Sequence, residues 1–185
     1  VGSEMCIRDR IYEALADYGY REVGQEYLQN VLNTAKQLDA YDSGRIYYYL
    51  GDYQKAYLAL EEAKGKGGVD SYLYLGKAYA ATGDYNYASS VYSNYLSKQG
   101  PDAEIYNQLG LCEMAKKDYQ KALEAFQAGK QIEGNSLMQT LSFNEIVAYE
   151  YLQDYQKAAV LLKAYLQNYP DDQAAIREQQ FLSTR

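Results

Sequence analysis

DYQKA at Asp52–Ala56, DYNYA at Asp84–Ala88, DYQKA at Asp118–Ala122 and DYQKA at Asp154–Ala158 are one five-residue phrase written four times. The starts lie 32, 34 and 36 residues apart. A near-constant period of this size marks stacked supersecondary units, each too small to bury its own apolar face. The phrase also has a local meaning. Aspartate accepts hydrogen bonds from the free N–H groups of a helix's first turn, and its charge suits the positive end of the helix dipole. The Tyr in second place and the Ala in fifth lie three residues apart on one helical face, where the small Ala lets a neighbouring helix approach. Gly51 and Gly83 precede the first two aspartates, Lys117 and Gln153 the other two. Glycine at such a place is a C-cap for the helix before it. Each phrase therefore predicts helix, tight turn, helix.

The flanks repeat at helical spacing. Upstream, Tyr72, Leu75, Gly76 and Tyr79 are matched by Tyr106, Leu109 and Gly110, with Glu113 in place of the last tyrosine. Downstream, Ala88, Tyr92 and Tyr95 are matched by Ala122, Phe126 and Gly129. Helices of about 12 to 15 residues follow, and no alternating segment is long enough for a strand. A degenerate unit precedes these, with Ile11 to Tyr18 and Arg21 to Leu32 as helices, Gly19 in the turn, and Gly24, Leu28 and Val31 facing inward. After Pro170-Asp171-Asp172 a polar final helix is expected over about 173–182.

Composition narrows the function. The 185 residues include 24 Tyr against 3 Phe and no Trp, and tyrosine suits contact faces that are apolar at one end and wet at the other. Net charge is −7, with no basic stripe, which argues against nucleic acid and against anionic membrane surfaces as partners. No histidine occurs, so His-based acid/base chemistry and His-activated nucleophiles are excluded, and most zinc and copper sites with them. Two cysteines are too few for a disulfide scaffold or a four-cysteine metal site. No run of 18 apolar residues exists to span a membrane. The expectation is a non-enzyme without cofactor or metal, and a segment that does not itself insert into a membrane. Residues 1–10, VGSEMCIRDR, resemble translated sequencing-adapter sequence and are read as a non-native tail, Cys6 included.

On these residues the chain resembles the tetratricopeptide repeat family. Tyr72, Leu75-Gly76, Tyr79, Ala88 and Tyr92 match its pattern, with Gly100-Pro101 closing the unit. The next unit matches at Tyr106, Leu109-Gly110, Ala122 and Phe126, and the one before at Gly44, Tyr47, Ala56 and Ala63. The last matches at Tyr149, Ala158, Leu162 and Pro170, with Glu145-Ile146 where the pattern has Leu-Gly. The resemblance implies an all-α fold, an alpha-alpha superhelix (solenoid) of about five helical hairpins plus a C-terminal capping helix. Its repeats would cover about 11–36, 37–68, 69–102, 103–138 and 139–172 as a single domain, ending in the capping helix at about 173–182.

The resemblance also implies a function: a protein–protein interaction scaffold holding a peptide or helical segment of a partner in a concave groove lined by first helices. The alternative is an accessory or regulatory segment of a larger protein, such as an envelope lipoprotein. The compartment stays open between cytoplasmic and extracytoplasmic, the latter if a lost N-terminus carried a lipoprotein signal. Carried over residue by residue, the groove positions are Tyr41, Arg45, Tyr48 and Tyr49 in the second unit, and Leu73, Tyr74, Lys77 and Ala81 in the third. The fourth contributes Asn107, Gln108, Leu111 and Met114. The fifth contributes Phe143, Asn144, Val147, Glu150 and Tyr151. The set of Lys, Asn and Arg with which one subclass grips chaperone C-termini is absent: Tyr41, Arg45, Tyr74, Glu104 and Gln108 stand there.

Other signals have plainer readings. Cys112 is expected as a core thiol. Of Tyr47, Tyr48 and Tyr49, one is expected in the core, since successive helical residues point three ways. Glu61-Glu62 is read as an exposed helix face and Asp171-Asp172 as a cap. Lys64-Gly65-Lys66-Gly67-Gly68 lacks the spacing of a phosphate loop and is read as a connection between repeats.

Overall fold

A computed structural model describes residues 4–35, 37–64, 66 and 68–185, with the backbone alone for 4–10. Among the described residues there are eleven helices and no strand. They are α1 (Glu4–Asp17), α2 (Arg21–Thr34), α3 (Ala40–Leu50), α4 (Tyr53–Ala63), α5 (Gly68–Ala81) and α6 (Tyr85–Gln99), followed by α7 (Ala103–Ala115), α8 (Tyr119–Lys130), α9 (Met138–Tyr151), α10 (Tyr155–Asn168) and α11 (Gln173–Leu182). Two of them, α3 and α4, have only 11 residues each and fall short of the expected length. At the other end α1 begins at Glu4, so the helix runs back into the segment read as a tail. The phosphate-loop lookalike is cut short: Lys64 caps α4, Gly68 opens α5, and Gly65 and Gly67 lie outside the described residues.

The repeated phrase does what its chemistry predicts. The Asp52, Asp118 and Asp154 side chains accept from the backbone N–H of Lys55, Lys121 and Lys157. Before each capping aspartate the chain turns through the left-handed region, with φ of +80° at Gly51, +65° at Lys117 and +63° at Gln153. Gly83, ahead of Asp84, has φ +86°. Lys117 and Gln153 thus adopt the glycine conformation although each carries a Cβ, a strain of about 1–2 kcal/mol. The turn hydrogen bonds hold them there: Asp118 N–H donates to the Glu113 carbonyl, and Asp154 N–H to that of Tyr149, both at 2.9 Å.

The chain divides into two compact units, one ending at Asp84 and the other beginning at Tyr85. In the first, α1 packs on α2, α2 on α3, α3 on α4, and both α3 and α4 on α5. In the second, each helix from α6 to α10 packs on its successor, ending with α11 on α10. The core positions follow the repeat. The residue eight places before the capping Asp meets the residue eight places after it. A Cβ on Gly44 would stand 2.6 Å from Leu60, and one on Gly110 would stand 2.3 Å from the Phe126 ring. In the last repeat the pattern glycine is replaced by Ile146, and the partner there is Leu162 rather than an aromatic ring; the two share one buried cluster. Compared with the Gly110–Phe126 pair, the larger Ile146 is matched by the smaller Leu162.

Two departures from the family pattern put acids in the core. Glu145 stands where leucine is expected and is 5% exposed. It accepts from Gln127 Nε2 at 2.8 Å and Lys130 Nζ at 2.6 Å, both on α8. Glu113 replaces a tyrosine, is 5% exposed, and pairs with Lys116 Nζ at 2.7 Å. A buried carboxylate is tolerated only with such partners. Cys112 is buried as expected, and burial pushes its thiol up to about 11, which keeps it protonated and inert. The tyrosine run behaves differently from expectation. Tyr47, Tyr48 and Tyr49 are all half-buried, and the core place beside them is taken by fully buried Ile46. Glu61 is also less exposed than its reading, half-buried and paired with Lys64 at 3.3 Å.

Candidate functional site

Within the first unit, α3 and α5 bring most of the expected groove residues onto one ring. Tyr74 extends from α5 beside Tyr48 and Tyr49 of α3, with ring centroids 5.4 and 5.8 Å apart in edge-on geometry. The Arg45 guanidinium lies 4.7 Å from the Tyr74 centroid and 5.1 Å from that of Tyr41, and Lys77 Nζ lies 5.6 Å from Tyr74. The spacing explains the convergence: Tyr41, Arg45 and Tyr49 stand four residues apart along one stripe of α3, and Tyr48 lies three beyond Arg45.

Hydroxyl chains tie the cluster together. Tyr49 donates to Glu13 of α1 at 2.7 Å. Its single proton is thereby used, so in the 2.6 Å contact with Tyr74 the latter is the donor. Arg45 donates at 3.0 Å to the Tyr41 hydroxyl, which donates at 3.3 Å to Asp70. Tyr12 packs its ring 4.7 Å from Tyr49 and donates at 3.3 Å to that residue's carbonyl. The phenols of Tyr41, Tyr48 and Tyr49 are all pushed above the ordinary tyrosine range, first by burial and then by neighbouring phenols or carboxylates. They remain neutral donors at any physiological pH. Tyr12, Glu13 and Asp70 were not among the expected site residues. Their signal in the sequence was weak, because α1 belongs to the degenerate unit and Asp70 sits in the first turn of α5, ahead of the pattern.

Leu73 faces inward from α5 and is 7% exposed, because α5 packs on both α3 and α4 and buries a wide face. Ala81 is exposed at the end of the same helix.

The second unit arranges its candidates differently. Asn107 of α7 is 5% exposed and accepts at 2.8 Å from Asn144 of α9, so these two amides are committed to each other. Gln108 donates to Glu104 at 3.0 Å. Met114 and Phe143 are partly buried against core clusters. Leu111 and Tyr151 are exposed, and the Tyr151 ring stacks 4.9 Å from Tyr119. Val147 and Glu150 are half-buried. Burial, and then the Glu178 carboxyl on α11, push the Glu150 carboxyl up to about 7. Among the described residues, no group of three or more His, Cys, Asp or Glu is placed to hold a metal ion, and no helix is long and apolar enough to cross a membrane.

Two family models, both described as tetratricopeptide repeat, match residues 73–136 and 143–172. No curated protein matches. Among solved structures, TTC0263, a thermophilic TPR protein of Thermus thermophilus, is 16% identical, with a TM-score of 0.73 over 98% of this chain and 100% of that one. YrrB, a TPR protein with an unusual peptide-binding site, is 19% identical, with a TM-score of 0.65 over 94% of this chain and 90% of its own. MamA from Desulfovibrio magneticus RS-1, from residue 41 to its end, is 19% identical, with a TM-score of 0.64 over 92% of this chain and 98% of that one.

Proposed function

The chain belongs to the tetratricopeptide repeat family, and from that premise we propose that it is a protein-interaction scaffold holding a peptide segment of a partner against its first helices. The observation that carries this reading is the convergence of Arg45, Tyr48, Tyr49 and Lys77 on the Tyr74 ring. Tyrosines already fixed by stacking and hydroxyl bonds offer contact area without losing rotamer freedom on binding. Arginine among aromatic rings is the composition of interface hot spots. The Arg45 guanidinium and the Lys77 ammonium, each with several N–H donors, suit the carbonyls of an extended or helical peptide. A peptide-binding site in YrrB, which shares the fold, fits this reading. The net charge of −7 favours a protein partner over nucleic acid.

A random peptide library displayed on phage and selected on the folded chain tests it. Selected peptides are expected to lose about tenfold or more in affinity for the paired substitution Tyr48→Ala and Tyr74→Ala, with Leu58→Ser on exposed α4 as the neutral control. Circular dichroism confirms the fold of each variant. Peptides that bind the paired variant as tightly as the parent would remove this site.

A further inference from the structure

The two ends of α11 are held to the rest of the second unit by chemically opposite devices. At its start, the Asp172 carboxylate caps the helix by accepting from the N–H groups of Ala174 and Ala175 at 2.9 and 3.2 Å. The same carboxylate accepts from Tyr165 of α10 at 2.5 Å and Gln139 of α9 at 3.3 Å. This end is fixed by an ionised acid with donors. Along the helix, Ala175 and Leu182 are buried in a cluster with Ile146, Ala158, Leu162 and Tyr165. Beyond the cap, Glu178 of α11 faces Glu150 of α9 across a cleft also lined by Tyr151, Gln153, Tyr155 and Phe181. Two carboxyl groups face each other there, and none of these lining residues is basic. The chain's own nearby cation, Arg185, lies over the Phe181 and Tyr155 rings, 4.6 and 5.9 Å from their centroids.

We propose that the Glu150–Glu178 pair is a protonation latch: one shared proton bonds the two carboxyls and holds the C-terminal part of α11 on α9, and its loss releases that part while Asp172 keeps the start of the helix in place. Among the described residues, the charged or titratable groups that line the cleft with Glu150 are Glu178 from α11, Tyr155 from α10 and Tyr151 from its own helix. A phenol and a carboxyl carry no positive charge, so none of these three compensates a second negative charge. One Oε of Glu150 is already out of water without a partner, and ionising it adds desolvation to repulsion. The raised titration, up to about 7, belongs to the pair and agrees in direction. For an acid shifted upward, the docked state is favoured in full below the ordinary glutamate value and loses that advantage as pH rises through about 7. Because the pair is partly open to solvent, screening holds the effect to about a tenfold change in the opening constant.

Hydrogen exchange of the α11 amides between about pH 4 and 8, corrected for the intrinsic rate, reads this directly. Protection in the second half of α11 is expected to fall about tenfold across that range, while the α7 and α8 amides, which report the stability of the unit as a whole, stay level. Glu150→Gln and Glu178→Gln, which retain an uncharged hydrogen bond, are each expected to abolish the pH dependence. A pH-independent α11 in the parent chain would overturn the latch, and so would an undiminished slope in both variants.

Discussion

Gly110 has no room for a side chain. Its absent Cβ would lie 2.3, 2.6 and 2.7 Å from three atoms of the Phe126 ring, and that ring is fully buried and has nowhere to move. Gly110→Ala is therefore expected to lower the stability by about 1–3 kcal/mol, the usual cost of overpacking a tight core, with thermal or urea unfolding as the measure. The same contact makes Leu-Gly legible as a repeat signature: the glycine is where one helix lets the aromatic of the next come close. Position 146 shows the limit of that reading. An isoleucine replaces the glycine, and nothing local announces how it is accommodated; the partner sixteen residues on is Leu162, smaller than the Phe126 ring that faces Gly110. Left-handed turns at Lys117 and Gln153 are a similar case. Their side chains argue against the conformation, and only the matching Asp that follows each one identifies the turn.

At the scale of elements, helix starts depend on single aspartates. Asp102 caps α7, accepting from the Ile105 N–H at 2.9 Å in a partly buried setting. Asp102→Ala leaves that donor without its partner and is expected to cost about 1 kcal/mol in unfolding free energy, while Asp102→Asn, which can still accept, is expected to cost much less. The helices were legible to within a few residues wherever a capping Asp or a glycine marked an end, and the α11 bounds agree with the expected ones. The candidate site was legible only in part. Arg45, Tyr48, Tyr49 and Tyr74 do meet, because a helical stripe on α3 and one on α5 are both set by periodicity. Leu73 and Asn107 turned inward, since the number of neighbours that a first helix covers decides how wide its buried face is, and periodicity does not state that number.

For the molecule as a whole, pH is the natural probe. The carboxyls of Asp52 and Asp118 are held below the usual range, first by hydrogen bonds from the Lys55 and Lys121 side chains. That of Asp172 is held down first by the Tyr165 hydroxyl. For depressed acids the sign is fixed: their stabilisation is present above the ordinary carboxylate value of about 4 and is lost as pH falls through the lower folded value. Melting temperature is thus expected to drop on acidification from about pH 5 to about pH 2.5, and the triple substitution Asp52→Asn, Asp118→Asn, Asp172→Asn is expected to flatten that drop, since asparagine caps without titrating. A drop of equal size in the triple variant would show that other acids dominate.

The sequence alone determined that this chain is helical, how its helices pair and end, and which family it belongs to, because caps, turns and the glycine–aromatic fit act over a few residues or one period. Tertiary structure decided the rest. Tyr12 and Glu13 joined Tyr49, Lys130 came to neutralise Glu145, and Glu178 was set against Glu150, each between residues on different helices. Such meetings depend on how far each hairpin turns and slides on the next, and that is set by the summed packing of many side chains rather than by any local phrase.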